Sequence, residues 1–130
     1  MAVFPLTQVR KNKRISLAAF QKESFCNKKV TFNRTHVQEE FQGSLLSLSP
    51  SGMFIKTYDF PEKGDLIFVN FHFYRKQIKL LARVIYVNRV GDGFRPQGIG
   101  VKFLRMNEDD YADIVKAIDY FCHKFQGGKN

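Results

Sequence analysis

The segment LIFVNFHF, residues 66–73, constrains the fold more than any other. Ile67, Val69, Phe71 and Phe73 alternate with Leu66, Phe68, Asn70 and His72. Side chains of an extended chain point to opposite faces in turn, so this period of two reads as a strand with one buried face. Neighbouring segments repeat the pattern between turn signals. KKVTFNR (28–34) is the first strand. EFQGSLLSLS (40–49) runs into SPSG, where Pro50 and Gly52 suit positions i+1 and i+3 of a type I turn. GMFIKTY (52–58) follows, and YRKQ turns the chain into IKLLARVIYV (78–87). The loop GDGFRPQG then leads to GIGVKFL (98–104), which turns Ile99, Val101 and Phe103 inward and Gly98, Gly100 and Lys102 outward.

Five or six short antiparallel strands at even spacing predict a small closed barrel. A chain of 130 residues, 44% hydrophobic and 15% aromatic, is long enough for one core of its own. The last element has a different period. Asn107 is a natural N-cap, and Glu108, Asp109 and Asp110 fill the electropositive first turn. Tyr111, Ile114, Val115, Ile118, Phe121, Cys122 and Phe125 recur on one helical face, and Gly127-Gly128 ends it. The expected fold is therefore mainly β, a six-stranded antiparallel barrel capped by an amphipathic helix over 107–126.

Charge divides the chain unevenly. Up to Arg34 there are eight Lys and Arg against one acid, Glu23, a balance of +7 within a total of +9. Four of those cations, Arg10, Lys11, Lys13 and Arg14, crowd into five positions. Such a leader on a nearly neutral body points to a phosphate-bearing partner. Residues 1–24 lie outside the strand pattern and read as a flexible basic arm, with 25–130 forming the barrel and its helix.

Other chemistry finds little support. Cys26 and Cys122 form no CxxC pair and read as reduced thiols, and His36, His72 and His123 show no metal-ligand spacing. No acid, base and nucleophile stand in a recognisable constellation, so an enzyme, a metal centre and a cofactor are not expected. No long apolar run suggests a signal peptide or a membrane span, which implies a cytoplasmic protein.

Three features together resemble the PilZ domain, a bacterial receptor module for cyclic di-GMP. They are Arg10-x-x-x-Arg14 ahead of the barrel, SLSPSG (47–52) where the family carries D/N-x-S-x-x-G, and ARVIYVNRV…QGIGVKFLRMNEDD at the end. The resemblance spans about Gln8 to Phe125. It implies that cyclic di-GMP is bound by Arg10, Arg14, Ser47, Ser49 and Gly52, and that the ordered arm relays the signal to a partner protein. Arginine suits both the O6/N7 edge of guanine and phosphate, because its planar fork donates two hydrogen bonds at once. Lys11 and Lys13 add general attraction or are simply solvated. Ser47 stands where the family most often has an acid or amide, and its single oxygen cannot accept both donors of guanine's other edge. Ser49 is either a ligand contact or a hydroxyl bonded to its own turn. Arg34, Arg83 and Arg89 are further candidates to line the site. The alternatives are a degenerate PilZ adaptor that binds no nucleotide and acts through protein contacts, and a small barrel binding RNA or single-stranded DNA.

Overall fold

The computed structural model describes residues 3–5, 15–16, 26–73, 76–91 and 96–126, with side chains for 29–73, 76–91 and 96–120. Its elements are β1 (Val3–Pro5), β2 (Ile15–Ser16), β3 (Cys26–Arg34), β4 (Phe41–Ser49), β5 (Gly52–Lys56), β6 (Leu66–Phe73), β7 (Lys76–Asn88), β8 (Gly98–Asn107) and α1 (Glu108–Gln126). Strands β3 to β8 form a closed antiparallel barrel. Its order is β8-β5-β4-β3-β6-β7, and pairing of β7 with β8 joins the two ends.

The barrel closes because β7 and β8 are long, 13 and 10 residues. Each can serve two neighbours and bend at irregular points, between Leu81 and Ala82 and between Val84 and Tyr86. Alternation fills the interior as expected. Ile67, Val69, Phe71 and Phe73 are buried, and so are Ile78, Leu80, Ala82 and Val84 opposite them and Ile99, Val101 and Phe103 beyond. Phe71 and Phe73 thus belong to the core and offer no stacking surface.

Helix α1 adds Ile114, Ala117 and Ile118 to the same core cluster. Burying each isoleucine side chain is worth about 1.5–3 kcal/mol and the alanine methyl less, so together they hold the helix to β4 and β8, which it touches. Its start is fixed by chemistry visible in the sequence. The Asn107 Oδ1 accepts the Asp109 N–H at 2.8 Å, completing the predicted N-cap. Lys76, the first residue of β7, donates to Asp110 at 2.7 Å and to Asp113 at 2.6 Å. Those two hydrogen bonds, Asp110 first, hold the Lys76 ammonium well above its ordinary value.

Two pieces of the leader are strand, where the sequence pattern placed none. β1 pairs with β8 through Val3 opposite Asn107 and Pro5 opposite Arg105, beyond the point where β5 ends. β2 pairs with β4 through Ile15 opposite Leu48 and Ser16 opposite Ser47. It occupies the side of β4 that β3 leaves, since the β3 ladder on β4 runs from Phe32 to Lys29. Runs of two and three residues carry no readable periodicity, so only the tertiary pairing reveals them.

Candidate ligand-binding site

Strand β4 carries the serines of SLSPSG, and an irregularity decides where they point. A register shift between Leu45 and Ser47 inserts Leu46, so that Leu45 and Leu48 both face the core while Ser47 lies on the outer wall. Ser47 is half-buried there and pairs with Phe54 on one side and Ser16 on the other.

Ser49 and Gly52 close the β4–β5 hairpin. The Ser49 hydroxyl is fully buried. It accepts the Gly52 N–H at 3.2 Å and the Ser51 N–H at 3.3 Å, and donates to the Gly52 carbonyl at 3.3 Å. This is the turn-holding role that a hydroxyl at position i commonly plays. Pro50, Ser51 and Gly52 are buried as well, and the Ser51 carbonyl accepts the Phe103 N–H at 2.8 Å, docking the turn onto β8. Gly52 has its own structural reason: a Cβ would collide with the Val101 carbonyl oxygen. The turn is thus a buried corner docked on β8, and Ser47 lies two residues before it on the outer wall.

Arg10 and Arg14 lie outside the described residues. β2, which follows them in the chain, pairs with Leu48 and Ser47 of the serine strand.

Of the other arginines, two have partners elsewhere. Arg34 Nε lies 3.0 Å from Asp65 Oδ2, an ion pair without hydrogen-bond alignment. Arg89 rests over the Phe60 ring at 5.3 Å and is 3.9 Å from Glu62. Arg83 differs. It is exposed on the outer wall opposite Lys102, which in turn faces Gly52 and the turn. The row Ser49, Gly52, Lys102, Arg83 therefore carries cations directly away from the SLSPSG corner. Sequence pattern showed Arg83 and Lys102 as outward residues but not as neighbours, because β7, β8 and β5 meet out of chain order.

The model for the PilZ domain family matches residues 8–120, which takes in the basic leader, the barrel and most of the helix. The chain belongs to the PilZ domain family. Solved structures show the same fold. The Bacillus subtilis inhibitor of motility, MotI/DgrA, superposes with a TM-score of 0.63 at 14% identity, covering 95% of this chain and 54% of that one. The PilZ domain of CeSA from a cellulose-synthesising bacterium superposes with a TM-score of 0.51 at 18% identity, covering 77% of this chain and all of that domain. The chain thus spans about half the length of the MotI structure. No curated protein sequence matches it. Among the described residues no helix is long and apolar enough to cross a membrane.

Proposed function

We propose that this PilZ domain is a receptor for cyclic di-GMP that passes the ligand's presence to a partner protein. One observation supports this reading above the others: β2, the segment that directly follows Arg10-x-x-x-Arg14, pairs with Leu48 and Ser47 of β4. On this reading Arg10 and Arg14 supply guanidinium forks for phosphate and the O6/N7 edge of guanine, and Ser47 lends an oxygen to a base. Because β2 also touches α1, contacts made by the leader can alter the helix surface offered to a partner. A ligand shifts such an equilibrium only by its differential contacts with the two arrangements, and the leader supplies them.

A second reading, an adaptor that binds no nucleotide, draws on Ser47 in the acid or amide position and on the Ser49 hydroxyl being engaged by its own turn. Isothermal titration with cyclic di-GMP separates the two. Heat of binding that disappears in Arg10→Ala and in Arg14→Ala supports the receptor. A flat titration of the wild-type protein at tens of micromolar leaves only the adaptor.

A further inference from the structure

None of the six barrel strands contains an aspartate or a glutamate, whereas four of them carry lysine or arginine. On this acid-free wall one place is also apolar. Leu81 of β7 stands opposite Phe68 of β6, and both are half-buried residues of the outer face. A register shift after Leu81 decides what lies on its other side. Ala82 pairs with Phe103, so a regular ladder would set Leu104 opposite Leu81; the extra residue brings Arg105 there instead. Lys79 and Arg83 are the outward neighbours of Leu81 along β7, about 6.6–6.8 Å away in either direction. Lys79, Arg83 and Arg105 are all exposed. An apolar pair is thus bordered on three sides by cations.

The surface here is concave. Phe68, Leu81, Lys79 and Arg105 line a groove of about 730 Å³ that ends against the start of α1. The Lys79 ammonium lies 5.5 Å from the centre of the Phe68 ring, which holds its charge over the apolar floor. The acids among the lining residues, Asp109 and Asp110, are both at the helix end, and Lys76 engages Asp110 at 2.7 Å. The strand side of the groove therefore keeps its positive sign. Packing on each other accounts for Phe68 and Leu81, but folding gains nothing from the charges around them. Arg83 stands directly opposite Lys102, and like charges in that position destabilise a sheet. An anionic occupant relieves that cost.

We infer that this groove docks an acidic segment of a partner protein: one bulky apolar side chain of the segment rests on Phe68 and Leu81, and carboxylates beside it meet Lys79, Arg83 and Arg105. This rests on the reading that the domain acts through a partner, and supplies that partner's chemistry. An apolar centre inside a polar border is the anatomy of a protein interface, and the arginine fork suits a carboxylate. Complementary charge also steers the encounter. A bilayer is flat and reaches what protrudes, not the floor of a groove. A nucleic acid needs open ring faces on which to stack its bases, and the Phe68 ring is half-buried with Lys79 over it.

An NMR titration of the isotope-labelled full chain tests this, with a short peptide in which glutamates flank one phenylalanine as the probe. Amide shifts should centre on Phe68, Leu81 and Arg105, and the same peptide with lysine for each glutamate should produce none. Leu81→Ala should weaken the acidic peptide by about tenfold, the effect of truncating one interface anchor, and should leave affinity for cyclic di-GMP unchanged. The double variant Lys79→Glu, Arg105→Glu should lose the acidic peptide and bind the lysine peptide instead, a swap that misfolding could not produce. Absence of binding by the wild-type protein, shifts confined to the basic leader, or equal binding by the folded double variant overturns the groove and leaves the receptor standing. So does tighter binding, through the same residues, of phosphatidylglycerol vesicles or of a single-stranded oligonucleotide. Peptide binding by a wild-type protein that ignores cyclic di-GMP overturns the receptor reading alone and upholds the groove.

Discussion

Replacing Ser49 by alanine separates a turn-building hydroxyl from a ligand contact. The Ser49 Oγ is fully buried and is approached by two backbone donors, Ser51 N–H at 3.3 Å and Gly52 N–H at 3.2 Å. Its removal leaves both without that acceptor in a buried corner. A stranded buried donor costs about 1–3 kcal/mol, and the long distances place this pair toward the lower part of that range. We expect a loss of about 1–2 kcal/mol, which for a chain of this size lowers the melting temperature by roughly 3–8 °C. The assay is thermal unfolding of the ligand-free protein followed by circular dichroism, paired with titration of cyclic di-GMP below the transition. A Ser44→Ala control removes an exposed hydroxyl on the same strand and should leave the melting temperature within about 1 °C, near the small effect of an ordinary surface change. The reasoning would be refuted if Ser49→Ala melted with the wild type yet lost ligand affinity, because the hydroxyl would then serve the ligand and not the hairpin.

Other expectations follow from the same contacts. Ser16→Pro removes a backbone donor from β2, so affinity for cyclic di-GMP should fall by about tenfold with the barrel's near-ultraviolet dichroism unchanged. Ile114→Ala, which empties a fully buried position under α1, should cost about 2–5 kcal/mol in urea unfolding. Lys76→Ala should cost no more than about 1 kcal/mol, because the ammonium is 39% exposed and solvent weakens both of its ion pairs. The folded-state pKa of Lys76 is raised, so its contribution is complete below the lysine's unfolded value of about 10.4 and fades only as pH rises through the folded one. The stability difference between wild type and Lys76→Ala should accordingly stay flat from pH 6 to 9.

Much of the barrel was legible because its strands are half-buried. LIFVNFHF and GIGVKFL disclosed which side chains face inward, and the cap and acidic turn at Asn107–Asp110 located the helix within one residue. What alternation cannot disclose is which strand lies beside which. Gly52, Lys102 and Arg83 come from three strands, and nothing in their spacing along the chain predicts a common row. Nor could composition tell that Ser49 is spent on its own hairpin, since both roles use the same hydroxyl. The leader was legible only as charge: Ile15 and Ser16 gain their extended form from β4, not from any preference of two residues.

The position of β1 and β2 has a consequence for solubility. Each lies along a stretch of main chain, Arg105–Asn107 or Ser47–Leu48, that no other strand among the described residues covers on that side. Uncovered strand borders invite pairing with a second molecule. The leader therefore shields the barrel from aggregation, and any event that peels it away exposes sticky backbone to neighbouring copies.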